Sequence, residues 1–264
     1  MNRRPVIFPL ILVSSLALAA GCDKKDESSA SVASSASSLA PSVAQGKTVK
    51  FVIDPKSKTS IDMPAPKEHI KADTSAASGS LEMNLTNLAD SRGEVRIDLS
   101  TLNTHTFGND QDATQTEHAH TWLELGAAVA AGQRESNRWA VFAIRSIDGL
   151  SAPDLSKVAA VKEGSEDVRI VTATAHGDFL LHGHKVPKDV TLVAKFHYPS
   201  GAAADARPSS LDVTSAAPLH VTLAEHDVKP RDTLGKLAQA TTSLLGKVAE
   251  TADVSFDLLA TPQG

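Results

Sequence analysis

Residues 168–198 read VRIVTATAHGDFLLHGHKVPKDVTLVAKFHY, and this stretch carries the clearest structural pattern in the chain. Apolar side chains alternate there with polar or small ones in three runs, at 168–175, 179–182 and 190–198. A period of two places successive side chains on opposite faces of a β-strand, so that one face can enter a core. Gly183 and Pro187 lie between the runs and favour turns. The stretch therefore predicts several strands joined by turns.

The same alternation recurs along the rest of the chain after Lys47. The further runs are 49–53, 80–85, 95–99, 139–147, 219–223 and 254–259. Two segments differ: residues 114–131 have helical character with a capping box at Thr114 and Glu117, and residues 232–248 place apolar side chains on one helical face. Many short strands in succession favour an antiparallel sandwich or barrel. We therefore predict an all-β fold with one or two peripheral helices.

The amino terminus has the features of a secretory signal. Arg3 and Arg4 precede a short apolar stretch at 6–20, which is too short and interrupted for a comfortable membrane span. The following Leu-Ala-Ala-Gly-Cys, ending at Cys22, resembles the lipobox of bacterial lipoproteins. The resemblance implies diacylglycerol on Cys22 and cleavage before it. Cys22 is the single cysteine of the chain, so it has no disulfide partner within it. An ordinary signal peptide or a signal-anchor is the alternative.

The amino-acid composition distinguishes a predicted tether from a predicted folded domain. Serine and alanine dominate residues 22–46, and such a segment cannot bury enough apolar surface to fold. We expect a signal peptide at 1–21, a lipid-anchored flexible tether at 22–46 and one domain at 47–262. The predicted location is the extracytoplasmic, periplasmic side of a bacterial envelope membrane, with the inner and outer membranes both open. The net charge of −5 argues against a nucleic-acid partner.

The order of segments resembles the YceI family of extracytoplasmic β-barrels. The segments that carry the resemblance are 51–57, 77–81, 93–99, 102–104, 176–185, 190–192, 230–235 and 253–259. The resemblance implies an antiparallel, lipocalin-like β-barrel that holds a long apolar molecule, such as an isoprenoid chain, without any catalytic residue. An isoprenoid or lipid would then be the bound molecule, and no other cofactor is expected.

The alternating pattern predicts which side chains face the barrel interior. The candidates are Phe51, Ile53, Leu81, Met83, Val95, Ile97, Phe142, Ile144, Leu192, Phe196, Val221 and Phe256. A barrel of about eight strands has an interior wide enough for one slender ligand, but the same residues can also fill the barrel completely. Arg231 is a candidate for holding a ligand head group at the rim or for anchoring the loop that follows it.

The histidines support a different hypothesis, which is divalent-metal binding. His118 and His120 form one cluster, and His182 and His184 form another. Imidazole suits zinc, copper or nickel, but in the absence of cysteine ligands the two clusters would have to converge. A third hypothesis is an envelope-interaction module, which predicts an exposed apolar patch. Common enzyme motifs are missing from the sequence, so we do not expect an enzyme. A homodimer is left open.

Overall fold

The computed structural model describes residues 47–65, 69–231 and 249–264. The strands are β1 (Thr48–Ile53), β2 (Lys58–Pro64), β3 (His69–Thr74), β4 (Ala77–Asn84), β5 (Arg92–Asp98), β6 (Asn103–Thr104), β7 (Trp139–Asp148), β8 (Val161–Glu163), β9 (Glu166–Leu181), β10 (His184–Pro199), β11 (Ser210–Ser215), β12 (Leu219–Thr222) and β13 (Thr251–Pro262). The helices are α1 (Gln111–Trp122) and α2 (Ala131–Asn137), besides short 3-10 turns. The predicted signal peptide, Cys22, the tether and the predicted helix at 232–248 lie outside the described residues.

The described strands form one antiparallel sheet that closes on itself. Its hydrogen-bonded order is β1, β4, β5, β7, β9, β10, β11 and β13, and β13 pairs with β1 again. The carboxyl-terminal half of β13 closes this ring, whereas its amino-terminal half pairs with β2, from which β3 and β6 continue. A closed ring leaves no unpaired edge and encloses the inward side chains. The prediction of an antiparallel barrel with one or two helices is confirmed.

The longest hairpin lies at the centre of the stretch that predicted the fold. β9 and β10 pair over 16 residues each, from Leu181 opposite His184 to Glu166 opposite Pro199. Only His182 and Gly183 connect them, with φ angles of 50° and 77°. Two residues with positive φ make a type I′ turn, whose twist matches that of the flanking strands. The turn therefore fixes the register of the hairpin and places His182 at its tip.

A bulge in β7 changes which side chains face inward. The pairing with β9 shifts between Ile144 and Ser146. Ala140, Phe142 and Ile144 therefore face inward at every second position, whereas the next inward side chain, Ile147, comes three positions after Ile144. The alternation predicted for 139–147 therefore holds only as far as Ile144. An extra residue on one strand reverses the side-chain parity beyond it.

The helical segment differs from its predicted bounds. α1 begins at Gln111 and not at Thr114, and it ends at Trp122. The carboxylate of Asp112 accepts hydrogen bonds from the backbone N–H groups of Phe107 and Gly108, which fixes the loop before the helix. Thr114 consequently lies within the helix and does not cap it. No helix in the described ranges is long and apolar enough to cross a bilayer.

A buried ion pair joins the end of β5 to the start of β7. The Asp98 side chain is 7% exposed and accepts hydrogen bonds from Arg138 Nη2 at 2.5 Å and from the hydroxyl of Ser100 at 2.6 Å. Burial by itself would raise the pKa of Asp98, but the hydrogen bonds from Arg138 and Ser100 outweigh it and hold the pKa below its usual value. A lowered carboxyl pKa means that folding favours the ionised form.

We expect Asp98→Asn to lower the free energy of unfolding by about 2 kcal/mol at neutral pH. The asparagine can still cap the Ser100 turn, so the loss comes from the charge, and the partial exposure of Arg138 limits it. Because the pKa of Asp98 is depressed, its contribution is present above the unfolded value of about 3.9 and disappears as the pH falls through the folded value. Urea unfolding at about pH 7 and about pH 3 checks this. An equal loss at both values would contradict it.

Candidate ligand-binding cavity

The barrel encloses an apolar space, which we call the inner chamber. Its volume is about 120 Å³, and most of its wall consists of inward side chains from the strands of the ring. Thr59 contributes the one polar side chain among the described residues of this wall. The space exists because several inward positions carry only a methyl group. These positions are Ala140 on β7, Ala173 and Ala175 on β9, and Ala194 on β10.

A larger space of about 570 Å³, the outer chamber, lies between the barrel and α1. The strands β2, β3 and β13 and the segment around Leu99 and Leu102 contribute apolar side chains to it. Side chains of β7, β9 and β12 and of the 3-10 turn after β12 also line it, and one face of α1 lies against it. That face is polar at Gln111, Thr114, Gln115 and His118 and becomes apolar further along the helix. The outer chamber therefore has an apolar body and a polar wall on the helix side.

The two chambers share part of their walls. Thr59, Ile97, Ala140, Phe179 and Val254 line both of them. We call these five residues the junction. The hydroxyl of Thr59 is buried and has no hydrogen-bond partner within the described residues. A buried hydroxyl without a partner destabilises the fold by about 1–3 kcal/mol, so the junction offers an unsatisfied polar atom to a bound molecule.

Most of the predicted inward side chains line these chambers. Those on the inner chamber are Leu81, Met83, Val95, Ile97, Phe142, Ile144, Leu192, Phe196 and Phe256, and Ile97 and Val221 line the outer one. Phe51 and Ile53 line neither and are buried in the apolar cluster against β4 and β13. The alanines and the polar face of α1 were not predicted. The sequence does contain a signal for the alanines, because they occupy positions that the alternating pattern directs inward.

Arg231 takes part in a polar network beside the outer chamber. Its guanidinium donates to Glu124 Oε1 at 3.0 Å and to the Asp227 backbone oxygen at 2.8 Å and Oδ2 at 2.6 Å. Glu124 Oε2 lies 3.0 Å from His182 Nε2, and His182 Nδ1 lies 3.2 Å from the carbonyl oxygen of His226. Arg231 lines neither chamber. These hydrogen bonds join Arg231 to the turns at Glu124 and Asp227, whereas the loop that follows Arg231 lies outside the described residues, so both roles stay predictions.

Backbone strain is concentrated in the same network. Within the described ranges, Glu124, His182 and Asp227 are the non-glycine residues with positive φ, at 53°, 50° and 54°. Their chain neighbours Leu123, Leu181 and Val228 line the outer chamber. Positive φ costs a residue with a Cβ about 1–2 kcal/mol, and such residues persist where surrounding contacts hold them. The network therefore fixes three turns that carry part of the outer chamber's wall.

The two histidine clusters have separate surroundings. His118 lines the outer chamber, whereas His120 lies on another face of α1, where burial lowers its pKa despite the nearby carbonyl groups of Leu99 and Leu102. His182 and His184 lie at the tip of the β9–β10 hairpin with stacked rings. In the described part of the chain, the one group of three metal-ligand side chains contains His182 and His184 and neither histidine of α1. No convergence of the two clusters is observed.

Comparison with known proteins supports the fold. BcnA from Burkholderia cenocepacia superposes with a TM-score of 0.50 at 12% identity, over 79% of this chain and 99% of BcnA. A polyisoprenoid-binding domain from Saccharophagus degradans gives 0.49 at 15% identity, over 81% of this chain and 99% of that one, and a mutant CJ YCEI protein gives 0.38 at 10%, over 73% and 84%. No family model and no curated protein matches the sequence.

The barrel topology and the enclosed apolar chambers define the class: this is a lipocalin-like, antiparallel β-barrel. More narrowly, the chain shares its fold with BcnA along nearly the whole of that protein. At 12% identity the similarity is one of fold.

Proposed function

We propose that this protein binds a long apolar molecule of the isoprenoid or lipid type inside its barrel and does so without catalysis. The observation that carries the proposal is the pair of chambers with shared walls, of which the inner one is lined almost entirely by carbon. The polyisoprenoid-binding description of the Saccharophagus degradans domain points in the same direction.

The two chambers suit different parts of one molecule. An apolar chain that enters the inner chamber gains about 0.8 kcal/mol for each buried CH₂. A polar end would instead remain in the outer chamber, where Gln115 and His118 on α1 offer hydrogen-bonding groups. The hydroxyl of Thr59 at the junction would pair with the polar atom at which the apolar chain meets the polar end. The arrangement favours a slender molecule with one polar end.

We further propose that the mature protein is held at the extracytoplasmic face of an envelope membrane by lipid on Cys22. The support is the lipobox-like sequence before the cysteine and the basic, apolar segment that precedes it. Two or more buried acyl chains make such anchoring stable. A barrel on a tether near the bilayer would have ready access to apolar molecules there.

Expression of the full-length chain and its Cys22→Ser variant separates binding from anchoring. We expect the wild type to fractionate with membranes and the variant to be released, because the serine cannot form the thioether. Both proteins, extracted with organic solvent after gentle purification, should yield a long-chain apolar molecule by mass spectrometry. Membrane association of the variant would argue against the anchor. Failure of both proteins to carry or take up any long-chain isoprenol or lipid would argue against the binding function.

A further inference from the structure

We propose that the tip of the β9–β10 hairpin is a binding site for a divalent transition-metal ion such as zinc, with His182, His184 and Asp227 as ligands. One ligand-type atom from each of these side chains lies within 4.8 Å of the other two. Two imidazoles and a carboxylate are a donor set that suits zinc, with a fourth position for water. The site lies outside the walls of both chambers and does not depend on the ligand proposed above.

The surroundings of His182 suit a metal-binding imidazole. Its two ring nitrogens face the Glu124 carboxylate and the His226 carbonyl, and both of these groups accept hydrogen bonds. A neutral imidazole carries one N–H, which can donate to one of these acceptors, and its other ring nitrogen holds the lone pair that a metal ion needs. The bond from Nδ1–H to a backbone carbonyl is also the contact that orients a metal-binding histidine.

The local backbone conformation at position 182 supports a role for this side chain. Asn-Gly is the preferred sequence for a type I′ turn, yet His182 precedes Gly183 here with a φ of 50°. Asp227, which approaches from the end of a 3-10 turn, also has positive φ. Both strained residues direct ligand-type side chains to the same point, where the exposed side chain of His184 joins them.

Two cations contact the carboxylate of Asp227, which is one of the three proposed metal ligands. Asp227 pairs with Lys229 and Arg231, and the hydrogen bonds from these two groups hold its pKa below the usual value against the effect of burial. The carboxylate is therefore ionised, and a metal ion would share its oxygens with these two cations. Arg231 also pairs with Glu124, so the four charges balance one another.

Calorimetric titration of the full-length chain in detergent with zinc sulfate tests the site. We expect about one zinc ion per chain and at least about tenfold weaker binding in His184→Gln, Asp227→Asn and His182→Asn. His182→Asn creates the preferred Asn-Gly turn, and asparagine also tolerates positive φ at position 227. These replacements therefore preserve the backbone. His184 is exposed, so its variant is expected to fold normally.

The matched control is His69→Gln, which removes an exposed histidine paired with Asp62 at a distant strand. It should leave zinc affinity unchanged, and zinc should raise the melting temperature of the wild type and of this control but not of His184→Gln. The site would be refuted if the wild type bound no zinc or if His184→Gln bound it normally. Equal weakening by the control, or several ions per chain, would mean scattered surface histidines and would also refute it.

Discussion

Replacement of Ala140 by phenylalanine is expected to exclude an apolar chain from the inner chamber. Ala140 lies at the junction, where its methyl group lines both spaces. An engineered protein cavity of about 150 Å³ accommodates benzene, so an aromatic ring is similar in size to the inner chamber of about 120 Å³. The added ring would occupy that chamber or the junction beside it. In either position it would exclude the end of a bound apolar chain.

The expected result is a change in the length of ligand that the barrel accepts. If the ring excludes only two CH₂ groups, the binding free energy falls by about 1.6 kcal/mol, which is more than a tenfold loss of affinity. Short alcohols that reach only the outer chamber should bind as before. The affinities of a series of isoprenols of increasing length, measured by displacement of a fluorescent apolar probe, give the longest ligand that the wild type and the variant accept.

Ala143→Phe provides the control for this experiment. Ala143 lies on the same strand as Ala140 but lines neither chamber, so the same substitution there should leave the length preference unchanged. If Ala140→Phe kept the affinity for long isoprenols, the inner chamber would not receive the chain, and the binding mode proposed here would be wrong. Melting temperatures of the two variants show whether both barrels remain folded.

The fold was predictable from the sequence because its dominant signal is local. Alternation along residues 190–196 records directly that alternate side chains face the interior, and Leu192 and Phe196 do so. The inner chamber was less predictable, because it results from side chains that are small. Ala173 and Ala175 follow the alternation, but alanine is a weak indicator of a strand and does not reveal the space that it leaves.

Two other features depend on contacts that no local pattern records. The bulge after Ile144 brings Ile147 to the inner face, and only the pairing of β7 with β9 reveals the extra residue. The polar network is less local still, since Glu124 and His182 are 58 positions apart and Arg231 is 107 from Glu124. The histidine pair at 182 and 184 was visible in the sequence, but the approach of the acidic partner required the folded chain.

Substitution of Gly177 by alanine is expected to destabilise the barrel strongly. Gly177 lies on the inner face of β9 beside the bulge of β7, where the ring of Phe142 covers it. A Cβ atom at this position would lie 2.5 Å from the carbonyl oxygen of Ala143 and 2.6 Å from the ring. The first contact involves backbone of the neighbouring strand, so rotation of a side chain cannot relieve it. Glycine in a strand often marks such a close approach.

We expect Gly177→Ala to lower the free energy of unfolding by about 3 kcal/mol, at the upper end for added atoms in a packed interior. The control is Gly132→Ala in α2, where a Cβ would meet no atom within 4 Å. Because alanine restricts the unfolded chain and favours a helix, this control should raise stability by about 0.5–1 kcal/mol. Urea unfolding of the three proteins gives both values. A loss of less than about 1 kcal/mol in Gly177→Ala would mean that the strands separate easily at the bulge, and the wall of the inner chamber would then be deformable rather than fixed.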